Sequence, residues 1–263
     1  MKSPVLSILF LLISVTLLAV PNDFRFRHFS VEDGLSSNSV RAIMQDKYGF
    51  LWIGTEEGLN RYDGIMIKSY SICPQAAGKY ISSLYGTKKN IWIGTDEGIY
   101  IYAYATETFT YFDLTTPNNV RITSIVNHIL QDKDGNLWFS TNGQGLFRYN
   151  LSKNYLEQYE FTSAFGIVAS TMADSDNQIW ALTNQGESGV YKLNKAENKF
   201  EPFGLLYNAG NHHSQALAML EDSEQTLWLG TWECGLQKID KYTRQTTTYL
   251  HPTDGKGVTH IHS

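Results

Sequence analysis

The chain has 263 residues, of which 42% are hydrophobic and 13% aromatic, with six Trp, 16 Tyr and only six Pro. This composition supports a large packed core and excludes a disordered tail. A formal net charge of −5 and the lack of any Lys/Arg-rich block exclude nucleic acid as the main partner.

The N-terminus predicts a separate segment, residues 1–20. An uncharged apolar run from Val5 to Val20 follows Lys2. It is shorter than the roughly 20 apolar residues of a membrane span and suits a signal peptide. The run therefore predicts export to the periplasm, either by a cleaved signal peptide or with a retained N-terminal anchor.

The two cysteines, Cys73 and Cys234, are interpreted as separate thiols or as one sparse disulfide.

Residues 21–263 repeat one hairpin five times. A Trp recurs at spacings of 40, 46, 42 and 48 residues: Trp52, Trp92, Trp138, Trp180 and Trp228. Three residues after each Trp stands a threonine: Thr55, Thr95, Thr141, Thr183 and Thr231. Six residues before the Trp, four of the five repeats place an aspartate: Asp46, Asp132, Asp174 and Asp222. We expect the Trp side chains to pack between repeats and the Thr and Asp side chains to hydrogen-bond within strands and turns.

Each repeat divides into four short strands, called a to d. Strand a is apolar ("SVRAIMQD"), strand b is "LWIGT", strand c begins at a glycine ("GLNRYD"), and strand d alternates aromatic and polar residues ("TFTYFD"). The glycines that open strand c are expected to have positive φ: Gly58, Gly98, Gly145, Gly189 and Gly235. Four strands per unit with a period near 40 predict an all-β propeller.

The stretch "DGLSSNSVRAIMQD" followed by "LWIGTEEGLNRYDG" closely resembles the two-component regulator propeller repeat. Blade four departs most, with Ala181-Leu182 in place of the Ile-Gly pair. The resemblance implies the N-terminal periplasmic sensor part of a hybrid two-component system, which recognises carbohydrate and signals to a histidine kinase and a response regulator. It also implies a seven-bladed ring and allows a dimer of the full-length sensor.

The strand count predicts an incomplete ring. "FRFRHF" (Phe24 to Phe29) matches an outer strand d, and "GVTHIHS" matches strand a of a sixth unit. Five complete blades and the start of a sixth leave a ring that missing C-terminal blades or another chain must close. We therefore expect a truncated sensor whose open edges favour association or poor solubility.

The variable loops locate the candidate ligand site. In a propeller the b–c turns and the d–a connections share one face, and both sets vary here. Trp232 either packs on its neighbouring loop or stacks on a sugar beside Glu233. The acidic turn residues form either a binding patch or solvated turns: Glu56, Glu57, Asp96 and Glu97. Asn142 and Gln144 belong to the same set of turns and complete the predicted ligand-binding residues.

No catalytic residue, metal site or cofactor is predicted. His212 and His213 are adjacent and point oppositely on a strand, and His260 and His262 lie at the C-terminus. The alternatives to a sensor are a propeller glycosidase or lyase, for which the acidic turns would supply the carboxylates, and a protein-interaction scaffold. The Asp-to-Trp spacing of six differs from the five residues of Asp-box sialidase repeats.

Overall fold

The computed structural model describes residues 26–72, 79–161, 166–183, 189–205, 216–231 and 235–249. Several predictions fall outside these residues and are not addressed by the fold. They concern residues 1–20, Cys73, Cys234, Trp232, Glu233, His212, His213, His260, His262 and the strand expected at 257–263.

The described residues form five four-stranded sheets, each hydrogen-bonded in chain order, so the all-β prediction is confirmed. Blade 1 comprises β1 (Val40–Gln45), β2 (Leu51–Thr55), β3 (Gly58–Tyr62) and β4 (Ile67–Tyr70). Blade 2 comprises β5 (Ile81–Gly86), β6 (Asn90–Thr95), β7 (Gly98–Ala103) and β8 (Thr108–Tyr111). Blade 3 comprises β9 (Val126–Gln131), β10 (Leu137–Thr141), β11 (Leu146–Asn150) and β12 (Tyr155–Tyr159). Blade 4 comprises β13 (Val168–Ala173), β14 (Ile179–Thr183), β15 (Gly189–Asn194) and β16 (Lys199–Leu205). Blade 5 comprises β17 (Ala216–Glu221), β18 (Leu227–Thr231), β19 (Leu236–Ile239) and β20 (Thr246–Tyr249).

The segment before blade 1 differs from its prediction. Residues 26–30 form no strand, so the strand expected over Phe24 to Phe29 is wrong for its described part. Side-chain contacts hold this segment instead: Arg27 donates to the Tyr62 hydroxyl at 3.0 Å, and the Phe29 ring centroid lies 4.8 Å from that of Tyr62. A strand needs the backbone edge of another strand, and these contacts are made by side chains alone. A short 3-10 helix, Val31–Asp33, then leads towards β1.

The core lies between consecutive blades. Strand a of each blade contacts strand a of the next, and each of the first four repeat Trp side chains enters the apolar cluster shared with the following blade. Those four, Trp52, Trp92, Trp138 and Trp180, are at most 3% exposed. Trp228 is only half-buried and packs against Tyr249 of its own blade. Burial of the repeat Trp therefore depends on a following blade.

The Asp of each a–b turn holds the Trp of strand b. The indole Nε1 donates to the aspartate Oδ2 at 2.6–3.0 Å in four blades, joining Asp46 to Trp52, Asp132 to Trp138, Asp174 to Trp180 and Asp222 to Trp228. The other oxygen of the same carboxylate accepts backbone N–H groups of the turn, as Asp46 Oδ1 does from Tyr48 and Phe50. One side chain thus closes the turn and satisfies a buried indole.

Blade 2 lacks this contact because its a–b turn is one residue shorter. Tyr85 pairs with Trp92 across seven positions, whereas Met44 pairs with Trp52 across eight. Thr87 occupies the place of the aspartate and bonds Asn90 instead, with its hydroxyl 2.9 Å from the Asn90 carbonyl oxygen. The buried Trp92 Nε1 consequently has no hydrogen-bond partner among the described residues.

Glycines of strand b allow the blades to approach closely. A Cβ at Gly54 would lie 2.5 Å from Ile81 Cγ2 of blade 2, and one at Gly94 would lie 2.9 Å from Val126 Cβ of blade 3. The turn glycines Gly58, Gly98, Gly145 and Gly235 have φ between +69° and +148°, as turn geometry requires.

Candidate functional site

The b–c turns are built by the repeat threonines. Each of these threonines is fully buried. The Thr55, Thr95, Thr141 and Thr231 hydroxyls donate to the carbonyl oxygen of the glycine that opens strand c, at 2.6–3.1 Å. Thr183 accepts from the Gly189 N–H at 3.2 Å. The buried threonine therefore fixes the backbone of the turn, and the exposed residues of the turn can differ between blades.

The b–c turns and the d–a connections lie on one face, here called the variable-loop face. At blade 1, the Glu56 N–H donates to the Ser39 carbonyl at 3.1 Å, and the Glu56 carboxylate pairs with Arg41, with Nε to Oε1 at 3.0 Å. The hydrogen bond from Arg41 lowers the pKa of Glu56. At blade 2, Glu97 forms an ion pair with the buried ammonium of Lys79, which belongs to the preceding connection. Two of the acidic candidates therefore hold connections in place.

Gln144 has a similar structural role. Its Oε1 accepts from the backbone N–H groups of Thr123 and Ser124 at 2.8 and 3.0 Å, and its Nε2 donates to the Arg121 carbonyl at 2.9 Å. This side chain joins the blade 3 turn to the connection from blade 2. Its hydrogen-bonding groups are used within the protein.

Glu57, Asp96 and Asn142 remain available on the variable-loop face. All three are exposed, and none of their side chains contacts a polar partner among the described residues. The structure thus places the six described candidates on one face and separates them into three that hold loops and three that are free to meet a ligand.

A cavity also lies on the side of the sheets that faces the propeller axis. A cavity of about 480 Å³ is lined by the a strands of blades 3, 4 and 5, including His128, Thr171 and Met219. Burial lowers the pKa of His128, and its Nδ1 has no partner in the part of the chain that the structure describes. The described residues contain no group of three His, Cys, Asp or Glu side chains that could hold a metal ion.

The opposite face, formed by the a–b and c–d turns, carries a smaller cavity between blades 1 and 2. It has a volume of about 210 Å³, and Arg61 and Tyr104 each contribute a buried polar atom without a partner among the described residues. We call it the Arg61 pocket and define it by Phe50, Trp52, Arg61, Tyr102 and Tyr104.

Comparison with known families agrees with the repeat. The model of the two component regulator propeller matches residues 34–57 and 119–143, which are the a and b strands of blades 1 and 3 with their flanking segments. These two segments of the chain are therefore similar to the two component regulator propeller repeat.

Relatives of this propeller include signalling proteins. Histidine kinase P4 of Formosa agariphila is 46% identical over 68 residues, which are 26% of this chain and 5% of that protein. The extracellular domain of a protein described as a hybrid two-component system from B. thetaiotaomicron is 25% identical, with a TM-score of 0.70. The match covers 85% of this chain and 32% of that one, so this chain spans about a third of its structural relative.

Other propellers share only the fold. Virginiamycin B lyase from Staphylococcus aureus is 16% identical with a TM-score of 0.64, and the match covers 82% of this chain and 71% of that enzyme. Within the described ranges, no helix is long and apolar enough to cross a membrane.

The repeat pattern in the sequence does not indicate the Arg61 pocket. The available signal was the residue that faces the repeat Trp from strand c, which is Arg61 in blade 1 and Arg148 in blade 3. Whether this arginine is paired within the protein depends on the residue opposite it on strand d, which is Lys68 in blade 1 and Glu157 in blade 3. That difference appears only once strand register is known.

Proposed function

We propose that this chain is a periplasmic ligand-sensing module of a hybrid two-component sensor and that its variable-loop face recognises a glycan-derived oligosaccharide. The observation that carries the proposal is the construction of this face: buried threonines fix every b–c turn, while exposed polar side chains on blades 1–3 are left without partners among the described residues. The similarity to an extracellular domain of a hybrid two-component system supports the same reading.

The free side chains suit hydroxyl-rich ligands. Carboxylates of Glu57 and Asp96 accept hydrogen bonds, and the Asn142 amide both donates and accepts. A sugar presents alternating donors and acceptors to such groups. Trp232 and Glu233 of blade 5 are proposed to complete the surface with a stacking ring and a further carboxylate.

Catalysis is not part of the proposal. A glycosidase needs two carboxyl groups about 5–9.5 Å apart, free to act as acid and base. Glu56 and Glu97 are held in ion pairs with Arg41 and Lys79, and the two free carboxylates, Glu57 and Asp96, are exposed to solvent. The lyase resemblance is one of fold. We therefore expect binding without turnover.

Further blades are proposed to complete the ring. The outward faces of blades 1 and 5 expose the apolar side chains of Ile43 and Leu220, whereas the equivalent residues of blade 3 are buried. C-terminal blades or another chain would cover them, and the full-length sensor is proposed to signal as a dimer.

Binding of oligosaccharides to the full chain tests the function. We expect at least one member of a glycan-fragment panel to bind saturably in calorimetry and to be recovered unchanged. The triple variant Glu57→Ala, Asp96→Ala, Asn142→Ala should weaken that binding at least tenfold, and Trp232→Ala should weaken it as well. The matched control is Asp134→Ala, which removes an exposed carboxylate from the opposite face. Turnover of the bound fragment would contradict the sensor, and binding of peptides in place of glycans would favour the scaffold.

A further inference from the structure

The Arg61 pocket contains an arginine that forms no ion pair with any of the described residues. Its guanidinium carbon lies 4.4 Å from the Phe50 ring centroid and 5.8 Å from that of Trp52, and Nε is buried with no partner among the described residues. Aromatic faces stabilise a cation but leave its N–H donors unused. A buried donor without an acceptor costs free energy, and a ligand atom that accepts a hydrogen bond from this Nε would remove that cost.

An equivalent arginine in blade 3 shows what is missing. Arg148 lies opposite Glu157 in the strand register and forms an ion pair with it, while its guanidinium carbon lies 5.7 Å from the Trp138 ring centroid. Arg61 occupies the same repeat position, yet Lys68 stands opposite it. The same stacked arginine is thus neutralised by a carboxylate in blade 3 and faces a second cation in blade 1.

Tyr104 supplies a second unused group to the same cavity. Its buried hydroxyl has no hydrogen-bond partner in the part of the chain that the structure describes. Burial, and after it the negative charge of Asp46, raises the pKa of Tyr104 to about 12, so the hydroxyl stays protonated and can donate at neutral pH. A guanidinium and a phenol therefore offer donors to the same partly open cavity.

The surrounding charges favour an anion. Lys47 lies 4.6 Å from the Tyr104 ring centroid and Lys68 lies 4.9 Å from that of Tyr70. Both oxygens of Asp46 accept hydrogen bonds from its own turn and from Trp52. Glu107 adds an exposed carboxylate at the edge of the cavity. The three cations, Arg61, Lys47 and Lys68, therefore outnumber the two carboxylates that line the cavity, Asp46 and Glu107.

We propose that the Arg61 pocket binds a small carboxylate carried on a single six-membered ring. The Arg61 guanidinium takes the carboxylate in a charge-assisted hydrogen bond, the Tyr104 hydroxyl donates to a ligand oxygen, and the aromatic walls take the ring face. The volume of about 210 Å³ lies below the roughly 300–1,000 Å³ of pockets for drug-sized ligands, which limits the occupant to one ring. A sugar acid and an aromatic acid share this chemistry.

Titration of the full chain at constant ionic strength tests the proposal, with intrinsic tryptophan fluorescence as the readout because Trp52 lines the cavity. The probes are D-glucuronate, benzoate and the neutral sugar D-glucose. We expect at least one acid to bind saturably and D-glucose to bind at least tenfold more weakly. Tighter binding of D-glucuronate identifies a sugar acid, and tighter binding of benzoate identifies an aromatic acid.

Variants assign the binding to this pocket. Arg61→Met keeps an unbranched stem and should lower the affinity at least tenfold, while Tyr104→Phe should lower it severalfold. Arg148→Met is the matched control, because it removes the paired arginine at the same repeat position and should leave the affinity within twofold. Thermal melting of each variant separates loss of binding from loss of fold. Failure of both acids to bind, or undiminished binding by folded Arg61→Met and Tyr104→Phe, would overturn the proposal. Because this pocket lies opposite the variable-loop face, its failure and that of the oligosaccharide proposal are separable.

Discussion

At the scale of single residues, one carboxylate in each of four blades does two tasks. Asp132 Oδ2 accepts from Trp138 Nε1 at 2.8 Å and from Asn136 Nδ2 at 2.9 Å, and its Oδ1 accepts from the Asn136 N–H at 2.8 Å. The aspartate is itself buried. Its removal would leave an indole and a turn amide without acceptors, and each such buried donor costs about 1–3 kcal/mol.

Asp132→Ala should therefore lower the free energy of unfolding by about 2–4 kcal/mol, measured by urea denaturation. Asp134→Ala is the control, since among the described residues this exposed carboxylate accepts only from Asn177 Nδ2 at the surface, and a loss below about 0.5 kcal/mol is expected. Equal losses for the two variants would show that the turn carboxylate does not stabilise the blade.

Trp92 allows the indole hydrogen bond to be measured by itself. Trp92 and Trp138 are both buried between blades, but within the described part of the chain only Trp138 Nε1 has an acceptor. Phe substitution removes similar apolar area at both sites and breaks a hydrogen bond at only one. Trp138→Phe should cost about 1–2 kcal/mol more than Trp92→Phe in urea denaturation. A larger cost at Trp92 would argue that its Nε1 is bonded in solution.

At the scale of strands and turns, the sequence predicted every described blade and the face that carries the variable turns. The period of the Trp positions and the glycine of each b–c turn were sufficient, because both are local signals. What the sequence did not reveal depends on pairing across strands or blades: the missing acceptor of Trp92, the lone Arg61 opposite Lys68, and the use of Glu56, Glu97 and Gln144 in holding connections. The sequence alone does not show whether a charged side chain is free to bind a ligand or already paired within the protein.

The c–d turn of blade 5 forms a buried polar contact with blade 4. The buried Lys241 Nζ lies 2.7 Å from Glu221, 2.9 Å from Asp176 and 3.4 Å from Asp174. Lys241→Met leaves three carboxylates without their shared cation and should lower the free energy of unfolding by about 3 kcal/mol or more. Lys153→Met, on the exposed c–d turn of blade 3, is the matched control and should have little effect. In urea denaturation, a non-zero coupling between Lys241→Met and Glu221→Gln is expected, and additive losses would contradict the contact.

The same contact predicts the pH range over which blade 5 stays docked. The hydrogen bond from Lys241 lowers the pKa of Asp176, and within blade 5 the hydrogen bond from Trp228 lowers the pKa of Asp222. The contribution of these two carboxylates to stability is complete above about pH 3.9, the pKa of an aspartate in the unfolded chain. It is lost as pH falls through their lowered pKa values in the folded chain. Burial alone would lower the pKa of Lys241, but the hydrogen bonds and charges of its carboxylate partners outweigh burial and raise it. The contribution of Lys241 to stability is therefore complete below about pH 10.4 and is lost as pH rises past the raised pKa. Hydrogen exchange of residues 236–249 should therefore be slowest, after correction for intrinsic rates, between about pH 4 and 10. Equal protection at pH 3 and pH 7 would contradict this.

At the scale of the whole molecule, the two outward blade faces differ from the corresponding faces of blade 3. Ile43 of β1 is 66% exposed, whereas Ile129, its equivalent in β9, is 3% exposed. Leu220 of β17 is 56% exposed, whereas Leu130 of β9 is 8% exposed. Each inner residue is covered by the neighbouring blade, so the outward faces present the surfaces by which blades recognise one another.

Association of the full chain through these faces is the last prediction. The two faces are unlike each other, so contact between them is head-to-tail and either closes a ring or continues as an open filament. Sedimentation velocity should show a species whose size grows with protein concentration. The double variant Ile43→Lys, Leu220→Lys should shift the chain to monomer, because each lysine would have to be buried unpaired in the contact. Leu151→Lys, which alters an exposed apolar residue on the c–d turn of blade 3, is the control and should associate like the parent chain. A monomer at all concentrations would show that the outward faces are not adhesive, and association unaffected by the double variant would place the contact elsewhere.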